Sequence, residues 1–376
     1  MRLLLLLSLA IAATGTQLYD APADVGVTGQ YIVVLKEGEN LDNIIDRLMT
    51  AANSQKISAL VKRRYRTVIN GFVVQLDDDI NGRQMLLSLS GVEYVEQDKM
   101  IHKDLVVGSW GIDRIDQRDN ELNNDMTLDG YGEGVHIYVI DTGINPDHVD
   151  FGGRAIAIKD FVDEDGTAID CDGHGTHCAG TTASNTYGIA REATVYGVRI
   201  LDCFGSGLIS SSVAAMDWIA TEGKRPAVAS MSYGGFFSPT EFQAANRAKQ
   251  LGVVLVTSAG NSNADACLQS PAGSPDVITV GSTDRDDVRS SFSNYGRCVQ
   301  LFAPGSSIIS LAHDSNDGTR TYSGTSMACP HVAGIAAVLL GQGYSAQQVY
   351  DKIISSATLG VVTNPNAAPN LLAYCS

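Results

Sequence analysis

Positive charge is scarce in this 376-residue chain: 26 Lys and Arg stand against 42 Asp and Glu, a formal net charge of −16. The shortfall is uneven, with 11 basic against 12 acidic side chains in residues 1–103 and 15 against 30 in residues 104–376. A surface of that sign repels phosphate backbones and anionic lipid, which sets nucleic-acid and membrane-surface binding aside. It suits calcium ions. Proline is sparse at 10 residues and 44% of the chain is hydrophobic, so wholesale disorder is excluded. Asn-x-Ser/Thr triplets are absent, and N-glycosylation is not expected. Long apolar runs are missing too: Leu3–Ala13 is too short for the about 20 residues of a spanning helix. With Arg2 ahead of it and Ala10, Ala12 and Ala13 within it, that run reads as a signal peptide, residues 1–16, and the chain as secreted and extracellular. Secretion makes the seven cysteines candidate disulfide partners, and an odd number leaves at least one over.

Residues 17–103 carry a pattern of their own. Tyr31–Lys36 and Gly71–Leu76 alternate as strands, Asn40–Ala52 has apolar residues at helical spacing, Gln84–Leu89 is a second helix and Val92–Val95 a last strand. This order predicts a small α+β domain of ferredoxin-like type. The basic cluster Lys62, Arg63, Arg64 and Arg66 falls between these elements and reads as a solvated face or loop. Residues 100–109 lack periodicity and read as a linker. Beyond them, apolar strands (His136–Ile140, Thr194–Ile200, Ala227–Met231, Val253–Ser258, Val277–Val280) alternate with helices (His174–Ala183, Ile209–Thr221, Pro239–Leu251, Ser326–Leu340). The fold class expected for residues 104–376 is therefore α/β, a doubly wound parallel sheet with helices on both faces.

Three segments offer the parts of a nucleophilic triad. Asp141 ends an apolar strand and opens the turn Asp141-Thr142-Gly143, His174 lies in Gly173–Gly180 (GHGTHCAG), and Ser326 lies in Gly324–Gly334 (GTSMACPHVAG) at the mouth of an apolar helix. A carboxylate, an imidazole and a hydroxyl in these settings can orient, take a proton and attack. His177 and His331 read as structural, and a zinc cluster of Cys171, His174, His177 and Cys178 is set aside because the Gly-rich context fits the triad reading better.

With VIDTGI (Val139–Ile144) and SAGNSNADA (Ser258–Ala266), these motifs resemble the subtilisin-like serine peptidases of the proteinase K and aqualysin branch. Residues 17–103 resemble that family's inhibitor-like propeptide. The resemblance implies a serine endopeptidase made as a self-processing zymogen, with protein and peptide substrates and its own propeptide as intramolecular inhibitor and chaperone. It implies Ser326 as nucleophile, His174 as general base, Asp141 as its orienting partner and Asn261 as oxyanion-hole donor. Substrate would lie as a strand between Gly205-Ser206-Gly207 and Ser232-Tyr233-Gly234, over a pocket floored by Ser258, Ala259 and Gly260. Those small uncharged residues imply apolar or neutral specificity, a monomer is expected, and maturation would fall near residues 102–106. The rivals are a fold that has lost catalysis and a narrow processing convertase; the four retained residues and the uncharged pocket weigh against them.

The same resemblance pairs Cys171 with Cys203 and Cys267 with Cys298. It leaves Cys178, Cys329 and Cys375, either free or with a third bridge among them, and suggests sensitivity to thiol reagents. Structural calcium is implied at Asp113, Asp116, Gln117, Asn123 and Asp125, again at Asp160 and Asp165 with Asp163 between, and at a third site using Pro275 and Val277. There Gln300 stands where the family has a carboxylate, which weakens the site.

Overall fold

A computed structural model describes residues 16–21, 26–103, 110–123, 126, 128–163 and 166–375. The signal peptide falls outside the described residues. The larger part is built on a nine-stranded sheet, seven of whose strands run parallel in the order Leu301–Pro304, Ile278–Thr283, Val253–Ser258, Ala227–Met231, His136–Asp141, Thr194–Arg199, Ala155–Asp160, the last at the edge. All of these but the edge strand Ala155–Asp160 are buried almost throughout, which is why most read as continuous apolar runs. Along His136–Asp141, Ile137 and Val139 face the helices His174–Ala183 and Thr325–Gly341, while Tyr138 and Ile140 face Ile209–Glu222 and Pro239–Gln250. From His136–Asp141 the chain works outward in both directions. The carboxyl ends of it and its neighbours therefore form the switch-point crevice where such sheets hold their chemistry.

The smaller part holds four antiparallel strands in the order Val92–Lys103, Gly26–Leu35, Gly71–Leu76, Ala59–Tyr65, with Gln17–Tyr19 added parallel to Val92–Lys103 and helices Leu41–Gln55 and Asp79–Ser88 on one face. Tyr31, Val33 and Leu35 point to those helices, whereas Ile32 and Val34, with Val73, pack into the core under Ile209–Glu222 and Pro239–Gln250. Burial of such a side chain is worth roughly 1.5–3 kcal/mol, so the outward face glues the two parts together.

Two expectations are corrected here. The basic cluster is a solvated face, with Lys62, Arg64 and Arg66 exposed, but not a loop: Lys62, Arg63 and Arg64 lie on the strand Ala59–Tyr65, whose run of cations hides the alternation of half-buried and exposed positions. Arg63 donates to the Phe161 carbonyl at 2.8 Å, and Arg66 pairs with Asp42. Nor are residues 100–103 a linker, since the last strand continues to Lys103. Its far end pairs not with its own sheet but with two strands of the larger part: Ile101 opposite Gly207 and His102 opposite Ser206, then His102 opposite Gly234 and Lys103 opposite Tyr233. No periodicity announces this because the partners lie more than a hundred residues away. Sequence reading also passed over the edge strand Ala155–Asp160, the hairpin Ile308–Leu311 with Thr319–Tyr322, and the helix Ala346–Ser356.

Candidate active site

The strand His136–Asp141 delivers Asp141 fully buried to the crevice, and its Oδ1 lies 2.7 Å from His174 Nδ1. Close backbone contact sets that distance. Gly143 has φ +115°, and a Cβ there would stand 2.6 Å from the Ala168 carbonyl; a Cβ on Gly175 would strike the Gly143 carbonyl. Asp170, which sequence reading missed, ties the same loops together. Its carboxylate accepts from Thr142 Oγ1 (2.8 Å), Gly173 N (2.8 Å), Thr176 N (2.8 Å) and Thr176 Oγ1 (2.6 Å). Burial opposes its charge, but these donors outweigh burial and hold its pKa below the ordinary carboxylate value. His174 is buried, which disfavours the imidazolium, yet the Asp141 carboxylate wins and raises its pKa above the usual 6.5. Its Nε2 is buried and unpartnered.

Ser326 stands in the first turn of the helix Thr325–Gly341. Pro330, four residues on, has no N–H to give the Ser326 carbonyl, which instead takes the Ser232 hydroxyl at 2.9 Å and the Cys178 thiol at 3.4 Å. Cys178 Sγ is also 4.0 Å from His174 Nδ1, so the one thiol touches both groups. Ser326 Oγ donates to the Ser232 carbonyl at 3.2 Å, and no hydrogen bond joins it to His174. Asn261 follows the strand Val253–Ser258. Thr325 donates both N–H and Oγ1–H to its Oδ1, each at 2.9 Å, which fixes the amide's orientation. Its Nδ2 is thereby left buried with no acceptor. Thr325 and Asn294 went unnoticed in the sequence; Asn294 pins the turn after Gly260 by accepting from Ser262 N and Ala264 N and donating to Ala259 O.

The two sides foreseen for the cleft, Gly205-Ser206-Gly207 and Ser232-Tyr233-Gly234, do face one another. Between them lies the chain's own backbone at 100–103. Ser258, Ala259 and Gly260 sit buried and uncharged beside this track, with Ser258 Oγ 3.5 Å from the Tyr233 carbonyl.

Both foreseen disulfides, Cys171–Cys203 and Cys267–Cys298, are formed, and no third bridge joins the remaining cysteines. Burial pushes the Cys178 thiol up and the Cys329 thiol up to about 12, so neither is the accessible thiolate that reagents attack. His177 and His331, lowered by burial to about 3 and about 4, donate to the Ile308 and Met327 carbonyls as neutral rings.

The calcium candidates divide. Asp113 Oδ1 accepts from Gln117 Nε2 and Asn123 N, which gathers these residues into one oxygen-bearing corner near Asp116; Asp125 lies outside the described residues. Asp160 carries a cation already: Arg199 Nη1 stands 2.6 Å from Asp160 and 2.6 Å from Asp163, and Val162 N takes the other oxygen, so this set does not fit a metal. Asp165 lies outside the described residues. At the third place, beside Pro275 and Val277, Gln300 Oε1 is bonded to Thr279 N at 2.5 Å and is not free to ligate.

Comparison with known proteins now adds to this geometry. Residues 132–372 match the Subtilase family and residues 30–104 match Peptidase inhibitor I9. The chain belongs to the subtilase family. This subtilase is 43% identical to alkaline serine exoprotease A of Vibrio alginolyticus (94% of this chain, 68% of that protein). It is 41% identical to the extracellular serine proteinase of Thermus sp. strain Rt41A (94% and 90%). A crystal structure of a cold adapted subtilisin-like serine proteinase superposes with a TM-score of 0.69 at 47% identity, over 72% of this chain and 98% of that one. The fold also matches fervidolysin from Fervidobacterium pennivorans, with a TM-score of 0.79 at 23% identity, over 96% of this chain and 62% of that one. The subtilase is thus a serine protease, a hydrolase, preceded by an inhibitor-type propeptide domain. No helix among its described residues is long and apolar enough to cross a membrane.

Proposed function

We propose that this subtilase is a secreted endopeptidase that matures itself by cutting the segment after Lys103, with residues 17–103 as propeptide and 104–376 as the enzyme. The observation that carries this reading is the strand in the cleft. Lys103 pairs with Tyr233, one residue short of Ser232, whose carbonyl holds the Ser326 hydroxyl. The chain's own backbone therefore leads up to the nucleophile as a first substrate.

In the reaction, Ser326 Oγ turns from Ser232 to His174 Nε2, gives up its proton and attacks the carbonyl carbon of the last residue of the bound strand. Asp141 holds the Nδ1–H tautomer and stabilises the imidazolium that forms. Charge collects on the carbonyl oxygen, where the idle Asn261 N–H and the Ser326 backbone N–H at the helix mouth receive it. His174 then protonates the leaving amine, and water repeats the sequence to free the acyl group. Recognition rests on main-chain pairing to both cleft strands, and the uncharged floor Ser258–Gly260 favours apolar or neutral side chains. Calcium, when bound, belongs at Asp113, Asp116, Gln117 and Asn123, where it braces the start of the enzyme domain. The acidic surface and family membership support action as a monomer on peptides outside the cell.

The test is labelling with a serine-directed phosphonofluoridate. The matured chain gains one adduct and Ser326→Ala gains none; an adduct on Ser326→Ala would overturn the assignment.

A further inference from the structure

The interface between the propeptide and the enzyme holds an unusual set of buried charges. Glu96, Asp98 and Lys99, on the strand that leads into the cleft, are 0%, 0% and 2% exposed. Glu96 caps the enzyme helix Pro239–Gln250 by accepting from Thr240 N at 2.9 Å, and Asp98 caps Ile209–Glu222 by accepting from Ser210 N at 3.0 Å. Lys99 donates to Glu96 at 2.9 Å and to the Phe237 carbonyl at 2.6 Å. Beside Thr240, in the same first helical turn, stands Glu241, fully buried. Its Oε1 takes the Ser212 hydroxyl at 2.5 Å, Ser212 in turn bonds the Tyr233 hydroxyl at 2.6 Å, and its Oε2 has no partner.

The groups facing Glu241 are Glu96, Asp98 and Lys99 of the strand, the Tyr233 phenol of the cleft and Ser212. One ammonium cannot balance three carboxylates in a sealed space, and a charged Glu241 would leave an oxygen unsolvated. We propose that Glu241 is a proton-operated latch on the propeptide, neutral while the strand Val92–Lys103 covers it and charged once that strand leaves, so that rising pH loosens the propeptide's grip. This deepens the reading of residues 17–103 as an inhibitor and depends on it.

Burial of Glu241 between these neighbours is consistent with its pKa, raised from 4.5 to about 7. When the strand departs, Thr240 N loses Glu96, water reaches the turn, and the helix N-terminus favours an ionised Glu241 instead. The sign follows: a group whose pKa is higher in the bound state strengthens binding fully below its free value and loses that contribution as pH rises through its bound value. The grip therefore weakens between about pH 4.5 and about pH 7, by up to about two orders of magnitude, and levels off above.

The test uses the full chain. Wild type and Glu241→Gln are allowed to cut themselves, and the inhibited fraction is measured with a small chromogenic peptide from pH 5 to 8, each corrected for its own fully activated enzyme. In wild type, inhibition falls steeply to pH 7 and then flattens; Glu241→Gln, which cannot charge, stays inhibited at pH 8 with an inhibition constant at least tenfold lower than wild type. Equal pH dependence in the two chains overturns the latch. A wild type that cuts itself yet is uninhibited at every pH overturns the inhibitor reading itself. Hydrogen exchange in Ser326→Ala gives a second readout independent of activity: protection of Val92–Lys103 declines from pH 5 to 7 after correction for intrinsic rates. Constant protection there also overturns the latch.

Discussion

The molecule has two buried regions of opposite character. Beneath the central sheet the packing is mainly apolar: Ile137, Val139, Val228, Leu255 and Val256 are 0% exposed and pack in clusters of buried hydrophobic side chains. Where the propeptide enters the cleft, the buried side chains are Glu96, Asp98, Lys99, Ser212 and Glu241. The first region has to last, and apolar packing needs no partner in any given geometry. On the proposed maturation the second has to come apart, and a polar contact satisfied by helix N-termini can be surrendered to water at small net loss, because water replaces each hydrogen bond.

Two orphaned atoms sharpen the contrast. Asn261 Nδ2 and Glu241 Oε2 are both buried without a partner. The amide sits on the lasting side, where rigidity holds its unpaired donor in place for the oxyanion role proposed for it. The carboxyl oxygen sits on the separable side, where its cost is relieved by a proton or by departure of the strand.

Breaking each part should separate their roles. Ser326→Ala should lower kcat by on the order of 10⁶-fold, a scale taken from subtilisin, a member of the same family, and should leave the propeptide joined; kinetics and intact mass check both. Leu255→Ala should cost about 2–5 kcal/mol in the zymogen and the matured enzyme alike, read from denaturant unfolding of each. Asn261→Leu should lower kcat by about 10²–10³-fold with little change in KM, again on the scale of subtilisin's own donor. Glu96→Ala should weaken the propeptide complex by about 1–2 kcal/mol while leaving the matured enzyme's thermal midpoint unmoved, since the cap belongs only to the joined state. For pH, the proposed general base His174 acts in its neutral form and its pKa is raised, so on that proposal kcat/KM should climb with pH through a midpoint above 6.5. Asp141→Asn should lower that midpoint along with the rate.

How much of this was legible in the sequence follows the same division. Five of the seven parallel strands announced themselves because both faces are apolar, whereas Leu301–Pro304 is too short to stand out and Ala155–Asp160 lies at the edge; Asp141, His174, Asn261 and Ser326 sit in local motifs whose glycines betray close backbone contact. The residues that support them did not. Asp170, Thr325 and Asn294 act through backbone amides brought near only by the fold, and a lone Asp, Thr or Asn carries no pattern. Ala59–Tyr65 was hidden by its cations, and residues 96–103 by burial of polar groups against a distant partner, which no periodicity encodes. Arg199, an ordinary strand residue by sequence, occupies the place foreseen for a second calcium ion.

The central claim is that the strand ending at Lys103 is the enzyme's first substrate, and intact mass of the expressed chain tests it most directly. Wild type should yield a mature species beginning within residues 104–106, and Ser326→Ala should remain uncut. Cleavage of Ser326→Ala at that same bond, or a mature species beginning far from Lys103, would contradict it.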